Sequence, residues 1–268
     1  MSRACAVRVV TPADLSFRHL KDLLAGTVDA VSIPAFVPPG EAGPMAGGFL
    51  SGAHSTSYLN LRDGLEKVGS TLFEAASAGG AENDAAVGAY LAQGRQTKAL
   101  INSIVRPHGE PPMSRVAALF QRAFGARPLE IGSDECFAGL VRVIRDGKEI
   151  LPHQDHLGED LPTLEFAARL EGQLAVNIYL QLPEAGGELE LWPREGIPAE
   201  TPRLPGSDYG LDRAFLPSSL MPVKPSVGEL LMFDSTRIHA VRPSSGTARV
   251  SISFFMGVGT DGTVRYWS

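Results

Sequence analysis

Arg249-Val-Ser-Ile-Ser-Phe-Phe-Met-Gly257 decides the fold. In an extended chain the side chains alternate, so Arg249, Ser251 and Ser253 share one face while Val250, Ile252 and Phe254 share the other. Such a strand rests its apolar face on a hydrophobic layer and sends a guanidinium and hydroxyls into the space its sheet encloses. Val176-Asn-Ile-Tyr-Leu-Gln-Leu182 has the same design, with Asn177, Tyr179 and Gln181 opposite Val176, Ile178 and Leu180. Gly228-Glu-Leu-Leu-Met-Phe-Asp234 is a short apolar run between a glycine and a polar turn, the mark of a buried strand. Cys136-Phe-Ala-Gly-Leu-Val-Arg-Val-Ile144 leads through the turn Asp146-Gly147 toward His153.

Upstream of Cys136 the period changes. Pro12 to Leu24, Leu61 to Ala78, Ala81 to Ile104 and Ser114 to Phe124 space their apolar residues three or four apart and read as helices, with Ser114 as an N-cap. Ala30 to Val37 reads as a short strand stopped by Pro38-Pro39. Helices first and strands afterwards predict an α+β chain. One domain over 1–268 is expected, with 1–135 as mainly helical support and 136–268 as the strand-built core. From Pro193 to Pro225 seven prolines interrupt any periodicity, so 192–225 is an insertion that reads as a lid or as a rigid surface loop, its place between the ligand-bearing strands slightly favouring the lid.

Within the strand-rich half stands an ordered set, His153-Gln-Asp155, then His239, then Arg249. Residues i and i+2 of a strand face the same way, so His153 and Asp155 reach one point while Gln154 faces away. Two imidazoles and a carboxylate are the donor set that holds non-haem Fe(II) on one face and leaves the opposite positions open. Arg249 presents a planar fork suited to a carboxylate. Taken singly, His153 and Asp155 also read as a surface pair and His239 as a core histidine; the ordered series favours the metal. His156 points to the other face, and His19, His54 and His108 lie outside the strand region, as structural or surface residues. Arg142, on the strand feeding the motif, either projects into the pocket toward a substrate carboxylate or outward to solvent. Trp192 and Trp267 read as core or pocket aromatics.

The series, together with Val176–Leu182, Gly186-Gly-Glu-Leu-Glu-Leu191, Gly228–Phe233 and Gly246-Thr-Ala-Arg249-Val-Ser251, resembles the Fe(II)- and 2-oxoglutarate-dependent oxygenases, in particular the prolyl-hydroxylase-like branch. The resemblance covers about the C-terminal half. It implies a double-stranded β-helix (jelly roll, cupin-like) buttressed by the N-terminal helices. It further implies Fe(II) on His153, Asp155 and His239, with 2-oxoglutarate held by Arg249 and Ser251 and O2 as second cosubstrate; on the polar face of Val176–Leu182, Asn177 or Tyr179 either lines the cosubstrate pocket or faces solvent. The activity implied is hydroxylation of an unactivated C–H bond, with succinate and CO2 released. In the related halogenases the Asp155 position is glycine or alanine, so the carboxylate here favours hydroxylation; desaturation or ring formation begins with the same hydrogen abstraction. Length and the helical first half are similar to bacterial hydroxylases of free or N-substituted amino acids and to carrier-free halogenases, which implies a small amino-acid-like metabolite, with a carrier-bound or peptidyl substrate as the alternative. A zinc hydrolase and a non-catalytic binding module stay open, although neither needs Arg249 and Ser251 after the last ligand.

Composition sets outer limits. With 268 residues, 44% of them hydrophobic and 20% charged, the chain can bury a sizeable core. A net charge of −6 lacks the basic footprint of a nucleic-acid binder. No apolar run approaches the roughly 20 residues of a membrane span. Cys5 and Cys136 form no disulfide framework, and the first residues lack an apolar signal core, so a cytoplasmic location is the expectation.

Overall fold

The strand Leu170–Gln181 organises the molecule. It pairs antiparallel with Arg249–Gly259 along nearly its whole length and with Leu230–Asp234 on its other edge. From there a ten-stranded sheet extends in the order Val7–Val9, Ala30–Ile33, Leu230–Asp234, Leu170–Gln181, Arg249–Gly259, Leu140–Ile144, Glu66–Val68 and Thr56–Ser57. Val264–Trp267 pairs with the far half of Arg249–Gly259, and Arg127–Pro128 pairs with Val264–Trp267. The computed structural model describes residues 3–58, 65–77, 80–198, 200–207 and 209–268.

Alternation assigns each face of the sheet its task. Leu174, Val176, Ile178, Leu180, Val250, Ile252 and Phe254 join one buried cluster with Leu20, Leu23, Met45, Phe49, Val116 and Phe120 from the helices. Ala175, Tyr179, Leu231 and Phe233 face the other way and pack with Leu189 and Leu191. Those two leucines belong to a second, three-stranded sheet of Leu189–Leu191, His239–Val241 and Ile150–His153. The chain is thus an α+β layered structure with helices on one face of the large sheet and a small sheet over the other.

The helix Pro112–Phe124 shows why the sequence folds this way locally. Val116, Leu119, Phe120 and Phe124 are buried at helical spacing, and Gly125 closes the helix in the left-handed region at φ 65°. Its N-cap is Pro111, with Pro112 at the first helical position, so Ser114 lies inside the helix and caps nothing. Phe120 is fully buried, and truncation to alanine would cost about 3–5 kcal/mol. Gly80–Val105 forms the long helix expected from Ala81.

Leu61 to Ala78 departs from its helical reading. The residues of this stretch that the structure describes form a strand, Glu66–Val68, followed by the short helix Leu72–Ala76, while 59–64 and 78–79 lie outside the described residues. The strand wins because Glu66, Lys67 and Val68 pair with Val143, Arg142 and Val141 on the open edge of Leu140–Ile144. A tertiary edge outweighs local helix propensity here. The segment before residue 136 therefore supplies five strands of the large sheet as well as helices. Among the described residues no helix is long and apolar enough to cross a membrane.

Gly186 and Gly187 turn the chain between the sheets at φ 73° and 71°, and a Cβ on Gly186 would lie 1.8 Å from the Pro243 carbonyl oxygen. Only glycine fits there.

Candidate metal and cosubstrate site

His239 is the cross-strand partner of His153 in the small sheet, so two imidazoles distant in sequence become neighbours, with ring centroids 4.2 Å apart. Asp155 follows where the strand ends. Its Oδ2 lies 3.5 Å from His153 Nε2 and 3.3 Å from His239 Nε2. One donor atom from each residue falls within 4.8 Å of the others.

Hydrogen bonds aim these donors. His153 Nδ1 donates to the Leu151 carbonyl at 2.7 Å and His239 Nδ1 to the Arg237 carbonyl at 2.9 Å. A carbonyl only accepts, so each Nδ1 carries a proton and each Nε2 is aimed at Asp155. The Asp155 backbone is fixed in turn. Its N–H donates to Ser235 O at 2.9 Å, and its carbonyl accepts from Gln173 Nε2 at 3.2 Å and Ser235 Oγ at 3.3 Å. Gln154 faces away and donates to Thr236 O at 2.6 Å. His156 also points away, its Nδ1 accepting from Gly158 N at 3.1 Å as the cap of the short helix Leu157–Asp160.

Arg237 anchors His239 from outside. Its buried guanidinium holds the Trp192 carbonyl and Asp29, and Asp29 also takes Arg3 and the Ala6 N–H. The chain start is thus tied to the backbone that positions a candidate ligand. Nothing in the sequence pattern announces Ser235, Gln173, Asp29 or Arg237, because each acts through the backbone of another residue.

Charge in the cluster follows the geometry. Burial opposes ionisation of Asp155, yet the imidazoles of His153 and His239 outweigh it and hold the carboxyl well below the usual range. Burial and the charge of His153 lower the His239 pKa against the pull of Asp155, which favours the neutral, ligating form.

A cavity opens from this cluster between the two sheets, lined by Asn177, Tyr179, Arg249 and Ser253 as well as by all three cluster residues. Arg249 is buried and stands 4.9 Å from the Tyr179 ring centroid. Among the described residues no carboxylate pairs with it. Its Nη1 donates to Ser251 Oγ at 3.4 Å, while Arg249 Nε and the Tyr179 hydroxyl have no hydrogen-bond partner. Burial lowers the Arg249 pKa. A buried guanidinium beside an unpaired phenol fits an incoming carboxylate, since leaving such a cation unmatched is costly. Ser251 sits behind Arg249 rather than on the cavity wall, and Ser253 donates to Asn177 Oδ1 at 2.7 Å.

A second cavity of about 220 Å³ adjoins the cluster, and His153, Asp155 and Arg142 line it. Arg142 therefore projects inward. Tyr58, Asp160, Arg203 and Tyr209 share its walls. Tyr209 sets its ring against the edge of His153, with centroids 5.6 Å apart, and its hydroxyl accepts from Leu151 N at 3.1 Å. Arg203 and Tyr209 come from the proline-rich stretch, where no periodicity signals them. Trp192 and Trp267 are buried core residues and line neither cavity.

Comparison with known proteins places this geometry. Residues 138–257 match the model of the 2OG-Fe(II) oxygenase superfamily. This region belongs to that superfamily. The oxygenase region contains Arg142, the three cluster residues and Arg249. The chain is 30% identical over 161 residues to the L-gamma-glutamyl-L-propargylglycine hydroxylase of Streptantibioticus cattleyicolor, and the match spans 59% of each protein. Among solved structures it is similar to an N-substituted L-amino acid dioxygenase from Burkholderia ambifaria, with TM-score 0.59, 20% identity, and 94% of this chain and 92% of that one covered. The same enzyme in complex with alpha-KG gives TM-score 0.60 at 20% identity, over 94% of this chain and 90% of that one. At this identity the solved structures speak for the fold.

Proposed function

We propose that the chain is an Fe(II)- and 2-oxoglutarate-dependent dioxygenase that hydroxylates an unactivated C–H bond of a small amino-acid-like metabolite. The observation that carries this reading is the convergence of His153, Asp155 and His239 beside a buried Arg249 that no carboxylate among the described residues satisfies. Membership of the oxygenase region in the superfamily and the kinship with a hydroxylase of a γ-glutamyl amino acid support it. The two facing sheets, with helices behind the larger, support a double-stranded β-helix working as one domain over 1–268.

His153, Asp155 and His239 would hold iron. Their donors are a neutral imidazole pair and a carboxylate, the set that leaves one coordination face open. With iron, 2-oxoglutarate and O2 bound, the site would supply the oxidising power that breaks a C–H bond and releases succinate and CO2. The chain's own share is orientation and exclusion of water. Arg249 takes the distal carboxylate of the cosubstrate, the Tyr179 hydroxyl completes that contact, and Asn177 and Ser253 form the adjoining polar wall. The adjoining cavity lined by Arg142 and Tyr209 takes the substrate against the Asp155 side of the cluster.

The test is succinate formation by anaerobically Fe(II)-loaded protein given 2-oxoglutarate and O2, with and without a pool of amino acids, N-acyl amino acids and γ-glutamyl dipeptides, followed by mass spectrometry. Succinate stimulated by a pool member, with one oxygen added to that member, is the expected result. Absence of succinate from folded, metal-loaded protein under every condition would defeat the proposal.

A further inference from the structure

Arg142 and Asp160 face one cavity with their charges unmet by each other. Arg142 rises from the middle of Leu140–Ile144, on the floor formed by the large sheet, directly across from Ser251. Its Nε has no partner, and no carboxylate lies within ion-pair distance of it among the described residues. Asp155 and the Tyr58 phenol are its electrostatic neighbours, and they offset the burial that disfavours the cation. Asp160 lines the same cavity from the end of the helix Leu157–Asp160, which follows His153-Gln-Asp155. Its carboxyl is half-buried and makes no hydrogen bond or ion pair among the described residues. Glu159 lines the same cavity beside it.

Charges retained for stability would be satisfied within the protein, as Lys67 and Glu74 are at 3.0 Å nearby. Two opposite charges lining one cavity, each without an ion-pair partner among the described residues, match a ligand that carries both. Resting on the oxygenase reading, we propose that this cavity selects a zwitterion, with a substrate carboxylate on Arg142 and a substrate ammonium on Asp160. The apolar remainder of the substrate then lies against Ile144, Ile150 and Phe255, which line the same space. Arg142 fixes the acid end by a forked pair, and Asp160 discriminates free amines from acylated ones. Both are specificity-determining residues for the C–H bond presented to the cluster.

The experiment compares kcat/KM for substrate-stimulated succinate formation across fixed probes. These are L-norvaline and γ-glutamyl-L-norvaline, their C-terminal amides and their N-acetyl forms, offered to the Fe(II)- and 2-oxoglutarate-loaded wild type and to Arg142→Gln and Asp160→Asn. In the wild type the better zwitterion should exceed its amide and its N-acetyl form by about 30-fold each, the scale of one lost hydrogen bond to a charged group. Arg142→Gln should collapse the acid-to-amide ratio toward one and leave the amine-to-acetyl ratio standing, and Asp160→Asn should do the converse. Ratios taken within one variant cancel differences in folding and metal loading. A wild type that makes no succinate from 2-oxoglutarate fails the oxygenase reading itself. A wild type that makes succinate but is stimulated equally by blocked and zwitterionic probes, or by none of them, overturns this inference alone. So does an Arg142→Gln protein whose KM rises for 2-oxoglutarate with its acid-to-amide ratio intact.

Discussion

The strand Arg249–Gly259 and the proline-rich segment between Trp192 and Pro225 both send side chains to the site, and they hold them by different means. The strand is paired on both edges and buried, so its inward residues are fixed by register alone: Arg249 opposite Ile144, Ser251 opposite Arg142 and Tyr179, Ser253 opposite Leu140 and Asn177. Among its described residues the proline-rich segment pairs with itself only at an isolated bridge, Arg203 with Leu211. It is held by particular bonds to the rest of the protein: Arg194 to Asp234 at 2.5 Å, Arg213 to Glu190 at 2.6 Å, Trp192 Nε1 to Pro217 O at 2.9 Å and Leu211 N to Pro152 O at 2.7 Å. A regular ladder spreads its stability over many bonds, whereas a pinned loop depends on each pin. The strands should therefore carry the chemistry that tolerates no displacement, and the loop the contacts that tune it.

The largest expected effects lie on the sheet side. His239→Ala and Asp155→Ala should each reduce Fe(II)-dependent turnover to background, measured as succinate release, because two donors do not replace three. Full activity in either would mean that iron is held elsewhere than on the sheets. Arg249→Ala should raise KM for 2-oxoglutarate by about 30-fold or more, as expected for truncating one partner of a buried charge pair. Arg249→Lys should recover little of it, since a point charge does not reproduce the fork.

On the loop side the expected change is smaller. Tyr209→Ala should weaken Fe(II) affinity by about tenfold through loss of the ring against His153, measured by anaerobic metal titration. Tyr209→Phe keeps the ring and removes the hydrogen bond to Leu151 N, a cost of about 1 kcal/mol in stability. If the two variants lose metal equally, the hydroxyl rather than the ring is the pin.

The smallest effect concerns pH. Burial, with the negative charges of Asp155 and Glu159, pushes the Asp160 carboxyl up to about 7 from 3.8. The folded metal-free protein therefore binds this proton more tightly than the unfolded chain does. Its contribution is fully present below the unfolded value and is lost as pH rises from 3.8 toward about 7. Asp160→Asn should raise Tm of the metal-free protein at about pH 8 and change it little at about pH 4. An equal shift at both values would contradict the assignment. A carboxylate retained at that cost to stability is what a binding role predicts.

The same contrast explains what could be read from sequence. Alternation along Arg249–Gly257 and Val176–Leu182 revealed the inner face because a strand has a period of two and the polar residues of both fall on one face. His153, Asp155 and His239 were legible as an ordered set, and the structure adds that His239 pairs directly with His153. Arg142 could be placed on its strand, but its inward direction waited on the pairing with Ser251. Leu61 to Ala78 misled because a long-range edge, invisible in the local spacing, captured Glu66–Val68. Tyr209, Arg203 and Asp160 reach the cavity from irregular backbone or a single helical turn, where spacing carries no directional information.

The central claim is that three side chains on the small sheet and its margin make one iron site served by Arg249. Anaerobic titration with Fe(II) in the presence of 2-oxoglutarate, read by equilibrium dialysis, tests it most directly. One iron per chain in the wild type, lost in His239→Ala and in Asp155→Ala while both variants keep a cooperative thermal transition, is the result this account predicts. Iron and 2-oxoglutarate bound by folded His239→Ala as tightly as by the wild type would contradict it.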